Sequence, residues 1–271
     1  MPLYNRKRNG NARSIGTRQN GDMGRGTRRG FLKSGLGAGF GAFVLSRCGG
    51  MDAQGARSGG DGGTTSSCVL DPTTTQGPYW VDERLNRSDV RSDTNGKASP
   101  NPRPGLPLTL RFAVQAWSAG ACTPLQGAQV DIWHCDAGGI YSDVQGSTAG
   151  QDFLRGYQVT DAEGIARFTT IYPGWYSGRT VHIHVKARIF DASNNATTEA
   201  TTQVFFDDAI TDSVYANVSP YNARPNRDTR NTADNIYGNQ KVLLLTLQGD
   251  NASGYAASIS LGVNVGQVNS G

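Results

Sequence analysis

Four side chains within one short stretch could do metal chemistry. In "PGWYSGRTVHIHV", Pro173 to Val185, Tyr176 and Arg179 precede His182 and His184, in a chain that has only three histidines. Histidines at i and i+2 of a strand project from one face, because strand side chains alternate. Val181, Ile183 and Val185 would then turn to the core, and His182, His184 and Lys186 to a separate pocket. Such a pair is either a set of metal ligands or a plain polar strand face, so its surroundings must decide. His134 offers a third imidazole, and three histidines with an open position suit zinc. However, His134 shares a strand face with Val130 and Ile132, which fits a packed, half-buried side chain better. Tyrosines are the other donors. Tyr176 follows the Pro173–Gly174 turn, and Tyr141 follows "CDAGGI" directly after another strand. A phenol titrates near pH 10, so a phenolate at neutral pH requires a strong Lewis acid beside it. Ferric iron, hard and trivalent, supplies that, whereas zinc and ferrous iron do so poorly. Two phenolates and a hydroxide would balance its charge.

These residues need a scaffold, and the sequence reads as strands. From Leu106 onward, period-two alternation broken by Gly, Asn and Asp predicts strands over 106–117, 128–135, 164–171, 181–189, 201–208, 241–248 and 256–265. No segment past residue 69 shows a helical period with caps. The expected class is therefore all-β, an antiparallel β-sandwich. The stretches 136–160 and 209–238 read as long loops, which on a rigid sandwich carry function.

The rest of the chain concerns delivery. Residues 1–48 hold 10 of the 26 Lys/Arg and one of the 22 acids, so the remainder has 16 basic and 21 acidic residues. The basic balance belongs to the leader, and no basic patch on the body favours nucleic acid. In "TRRGFLKSGLGAGFGAFVLS", Arg28 and Arg29 precede a mildly apolar, glycine-rich stretch that resembles a twin-arginine export signal. Five glycines from Gly30 to Gly41 argue against a buried helix there, each costing about 1 kcal/mol relative to Ala. The expected organisation is an export signal over 1–48, a flexible Gly-rich linker over 49–67 and a β-sandwich domain over 68–271. The expected location is periplasmic, cell-surface or secreted, with the twin-arginine machinery as partner. Cys48 in "LSRC" is placed for lipid attachment, but Arg47 before it fits poorly. Cys122 and Cys135 bracket a strand and lie too far apart to bridge without a bend, so Cys68–Cys122 is the favoured disulfide and the odd thiol is buried.

Several separated motifs now fall together. "VDIWHCDAGGIYS", "FLRGYQVTDAEGIARFTTIYPGWYSGRTVHIHV" and "TTQVFF", with "TQGPYW" ahead of them, occur in the order and spacing of the intradiol ring-cleavage dioxygenases. The chain resembles that family over roughly residues 68–265. The resemblance implies non-haem Fe(III) held by Tyr141, Tyr176, His182 and His184, with Tyr176 and His182 axial. It implies a catechol-type aromatic and O2 as substrates, cleaved between the two hydroxyl-bearing carbons to a cis,cis-muconate-type diacid. Tyr176 would leave the metal and accept a substrate proton. Arg179 would stabilise negative charge developing on the ring, and Gln203 would act on the step after oxygen attack. Tyr79, Trp80, Trp175 and Trp133 are candidate pocket walls, although Trp133 also suits a core role. Members acting on catechol and hydroxyquinol carry a helical N-terminal dimerisation segment, and a leader and linker stand in its place here. Oligomeric state and ring substituents therefore stay open. The alternatives are an exported β-sandwich that holds a metal without dioxygenase activity, and a zinc enzyme using three histidines.

Overall fold

Leu108, Leu110, Phe112 and Val114 alternate with exposed neighbours along Pro107–Ser118 (β1), so one face of this strand turns inward. The computed structural model describes residues 73–118, 121–144, 146–239 and 243–265. The leader, the linker, Cys48 and Cys68 lie outside the described residues. The further strands are Ala121–Pro124 (β2), Gln129–Trp133 (β3), Arg155–Val159 (β4), Ile165–Ile171 (β5), His182–Phe190 (β6), Ala196–Phe205 (β7), Leu247–Asp250 (β8) and Gly254–Asn264 (β9). They form two sheets. The first runs β2-β1-β9-β8, with β5 also paired to β1, and the second runs β4-β3-β6-β7. Leu110, Phe112 and Leu261 from the first sheet meet Val130, Ile132, Ile183, Val185 and Val204 from the second in one apolar core. The architecture is a β-sandwich, and every pairing is antiparallel except β1 with β9, which is parallel.

Several expectations need correction. Asp208–Asn217 is an α-helix (α1) inside the expected loop 209–238; Asp207 caps it by accepting from the amides of Ala209 and Ile210. Only Thr211 and Val214 of the helix are buried, which leaves a thin apolar stripe in the sequence. The loop expected over 136–160 contains β4, and β2 was not expected at all. Of the strand expected over 241–248, residues 241 and 242 lie outside the described residues, and 243–246 are not strand. Leu243 and Leu245 are buried there, but the strand begins only at Leu247.

The face of β6 that carries the histidines is covered, and His182, His184 and Lys186 are all buried. Thr73–Val90 crosses it as an irregular strap. Lys186 donates to Gln76 at 2.8 Å, Arg188 bonds Asp82 at 3.0 Å, and Thr74 N–H donates to the Thr201 carbonyl at 2.7 Å. Further along, Arg87 donates to the Arg155 carbonyl at 2.8 Å, and Asn86 bridges to Tyr157. Arg188 also pairs with Asp131 on β3 at 2.8 Å, so the charges buried under the strap are matched. Cys122 is in a disulfide, and Cys135 is a free, buried thiol that donates to the Gly174 carbonyl. A buried odd thiol was expected.

Candidate metal centre

Two loops and two strands bring the sequence-selected residues together. The loop after β3 starts with a turn built on Asp136. Its carboxylate accepts from the amides of Gly138 and Ile140 at 2.8 and 3.0 Å and pairs with Arg103. This turn delivers Tyr141, which is only 1% exposed. The loop between β5 and β6 delivers Tyr176, and the two loops pack backbone to backbone. A Cβ on Gly174 would overlap the carbonyl oxygens of Asp136 and Ala137, and one on Gly139 would overlap that of Trp175. The glycines of "CDAGG" and "PGWY" thus set the spacing between the two phenols. His182 and His184 are the first and third residues of β6, and Gln203 on β7 lies opposite His184 in register.

The donor atoms converge. His182 Nε2 lies 3.2 Å from Tyr176 Oη and 3.2 Å from His184 Nε2. Neighbouring ligands that each lie ~2.1 Å from one ion at right angles are about 3 Å apart, so these three atoms have the separation of a coordination shell. His182 Nδ1 is 2.6 Å from the Thr180 carbonyl, which can only accept. Nδ1 therefore carries the proton, and Nε2 points a lone pair at the cluster, as for a metal-bound histidine. Burial, aided by the Arg179 cation, pushes His182 down to about 3, and burial and His182 hold His184 well below the usual range. Both imidazoles are neutral at physiological pH, the form in which they could bind a metal. Tyr141 Oη is buried; it makes no hydrogen bond of normal geometry and has only the Tyr176 hydroxyl close enough to interact with it. Burial drives Tyr141 well above a phenol's ordinary range and raises Tyr176 to about 12, against the pull of Arg179. Two phenols turned toward each other in a buried pocket, with bare imidazole lone pairs beside them, fit a hard, highly charged cation.

His134 stands apart from this set. It is fully buried rather than half-buried, with Nδ1 2.8 Å from the Cys135 carbonyl and Nε2 2.7 Å from Thr170 Oγ1. Both ring nitrogens are engaged, and burial lowers it to about 4. Among the described residues no cluster of three or more His, Cys, Asp or Glu could hold a metal, so a zinc centre of three histidines is not favoured.

Around the donors sits a polar arm and an aromatic wall. Arg179 donates from Nε to Asp234 Oδ2 at 2.8 Å and from Nη2 to Gln203 Oε1 at 2.6 Å; its Nη1 lies 3.5 Å from His182 Nε2. With Oε1 taken by Arg179, the Gln203 amide presents Nε2, which is buried and without a partner. Tyr79 stacks on Tyr141 at 4.4 Å and meets Tyr176 edge-on at 5.9 Å. Trp133 lies flat against His184 at 4.7 Å, and Trp80 meets Trp133 edge-on at 4.6 Å, beneath Lys186. Trp80 is therefore one layer behind the donors. Trp175 packs on the main core under Arg224.

Sequence reading missed Asp234 and Asn231. Asp234 is fully buried as a side chain and accepts from the amides of Thr180, Ile236 and Tyr237 as well as from Arg179. Burial opposes its charge, but these bonds prevail and hold the carboxyl below its usual range. Asn231 accepts from the Thr180 hydroxyl at 2.6 Å and donates to the Phe206 carbonyl at 2.8 Å. Both sit in a stretch without periodicity or motif, so only their place in the fold reveals them.

Comparison with known proteins agrees with this geometry. The family model described as "Dioxygenase" matches residues 75–234, more than half of the chain and all of the site residues. The chain belongs to the intradiol ring-cleavage dioxygenase family. Among its relatives, catechol 1,2-dioxygenase 2 of Acinetobacter lwoffii is 32% identical over 157 residues, covering 58% of this chain and 50% of that protein. The chain spans about half the length of the curated relatives it matches. Of solved structures, the intradiol ring-cleavage dioxygenase from Tetranychus urticae superposes with a TM-score of 0.63 at 28% identity, covering 75% of this chain and 98% of that one. The dioxygenase domain of a dioxygenase carbohydrate-binding fusion from Streptomyces sp. SirexAA-E gives 0.50 at 29% identity, covering 73% and 99%.

Proposed function

We propose that this protein opens the ring of a catechol-type aromatic between its two hydroxyl-bearing carbons, using O2 and a ferric ion held by Tyr141, Tyr176, His182 and His184. One observation carries the reading: Tyr176 Oη and His184 Nε2 each lie 3.2 Å from His182 Nε2, beside the buried hydroxyl of Tyr141. Bound Fe(III) would supply the charge that keeps both phenols ionised and would draw electron density from a catecholate.

The chain's own residues divide the work. Tyr141, buried and stacked under Tyr79, would be the more firmly held of the two phenolate ligands. Tyr176 sits on a loop, is less buried, and is placed to take a proton from an incoming catechol hydroxyl. Arg179, fixed between Asp234 and Gln203, stabilises negative charge that develops on the ring. Gln203 Nε2 offers a hydrogen bond to oxygen arriving on that side. Tyr79 provides a flat wall for the aromatic ring, and a muconate-type diacid is the product. We also propose the organisation read from the sequence, with 1–48 as a twin-arginine signal and 68–271 as the catalytic domain; the Arg28–Arg29 pair and the glycine-rich stretch after it support export. Oxygen uptake and product mass with a panel of substituted catechols test the activity and identify the ring. No uptake by iron-loaded protein with any catechol would sink it.

A further inference from the structure

Behind the aromatic wall, three buried polar atoms lack partners, and all three residues line one small cavity. They are Glu83 Oε1 on the strap, Arg155 Nη1 on β4 and Trp133 Nε1 on β3. The cavity leaves ≈ 10 Å³ open to the centre of a water-sized sphere, between Trp80, Leu85 and Tyr157. That is room for about one water. Arg155 is only 2% exposed, and its other nitrogens are already engaged on Ser142, Nε with the hydroxyl at 2.8 Å and Nη2 with the carbonyl at 2.7 Å. The remaining Nη1–H, the indole N–H and the carboxylate oxygen are two donors and one acceptor. Buried groups of this kind are satisfied in folded proteins, by protein or by ordered water.

We propose that one buried water occupies this cavity, accepting from Arg155 Nη1 and Trp133 Nε1 and donating to Glu83 Oε1. Its two lone pairs take the two donors and one hydrogen meets the carboxylate, about three bonds in all, which is usual for a buried water. Burial and the nearby Asp143 raise the Glu83 carboxyl, against the pull of Arg155. The water is also a junction. Trp133 lies flat on His184, Arg155 holds Ser142 beside Tyr141, and Glu83 is on the strap that lays Tyr79 over Tyr141. Glu83 is thus a positioning residue, tying the strap to both walls of the site. This role requires neither the metal nor the activity.

Crystals of the full chain that show ordered water test the site. The expected result is one density peak at about 2.7–3.2 Å from all three atoms, retained in Glu83→Gln, which keeps a side-chain acceptor, and lost in Glu83→Leu. Hydrogen exchange across residues 79–85 should quicken about tenfold in Glu83→Leu and stay near wild type in Glu83→Gln. Should Glu83→Leu not fold, the wild-type and Glu83→Gln structures still decide. No peak, or Glu83 turned directly onto Arg155 without a water, would overturn the proposal. So would equal exchange in all three proteins.

Discussion

Replacing Arg179 by Met should slow turnover by about 10²–10³-fold and leave the metal in place. The guanidinium makes two strong contacts, with Asp234 and Gln203, and its third nitrogen lies 3.5 Å from His182 Nε2. Methionine keeps much of the aliphatic bulk and removes the charge and all five donors. Loss of one preorganised electrostatic group raises a barrier by about 2.7–4 kcal/mol, which is the factor given. The cost to folding should be smaller than the roughly 3–5 kcal/mol of a broken buried ion pair. Asp234 keeps the amides of Thr180, Ile236 and Tyr237, and Arg179 is 21% exposed, so about 1–2 kcal/mol is expected. Arg179→Lys keeps the charge but cannot span Asp234 and Gln203 together, so it should fall between Met and wild type. The assay is oxygen uptake for kcat and KM, with iron per chain and a urea midpoint measured on the same samples. Wild-type turnover in Arg179→Met would refute the electrostatic role. Activity lost only in proportion to iron would do the same, by making Arg179 a support for the ligands.

Three further outcomes follow from the geometry. His134→Gln should leave iron content unchanged but lower stability by about 1–3 kcal/mol, because Thr170 and the Cys135 carbonyl lose a matched partner; an emptied metal site in this variant would reinstate His134 as a ligand. The metal-free protein should lose stability as pH falls from about 6.5 toward 4. His134 stays neutral in the fold down to about 4 while the unfolded chain takes a proton near 6.5, so stability is full above that value and falls by about 3 kcal/mol for this residue alone, seen as a drop in urea midpoint. A flat midpoint over that range would contradict the buried neutral imidazole. Finally, Arg28→Lys with Arg29→Lys should trap the protein inside the cell, by fractionation and blotting; normal export would rule out the twin-arginine route.

How much of this was legible depended on whether a signal was local. The alternation around His182 and His184 gave both the strand and the shared face, because strand periodicity is written in consecutive residues. Tyr141 and Tyr176 could be singled out from glycine-marked turns, and the structure shows why those glycines are there: Gly139 and Gly174 let two backbones touch. Helix α1 was missed because it buries only Thr211 and Val214, too few to print a period. The leucine run at 243–245 reads as a strand because Leu243 and Leu245 are buried, yet it makes only an isolated bridge to Phe205 through Leu244. Asp234 was invisible for a different reason. Its meaning lies in a bond to Arg179, 55 residues away, and no local pattern encodes a partner at that separation. Likewise the pocket expected on the histidine face had no visible cover, because the strap that closes it is an irregular segment some hundred residues earlier in the chain.

The most direct test of the central claim is the visible absorption of the purified, iron-loaded protein, read with that of its tyrosine variants. Tyrosinate bound to Fe(III) absorbs in the visible, so the protein should be red-brown. Tyr176→Phe should keep part of the band through Tyr141, and replacing both tyrosines should abolish it. A colourless protein carrying a full complement of zinc, or a band that survives the loss of both Tyr141 and Tyr176, would contradict the four-ligand ferric centre.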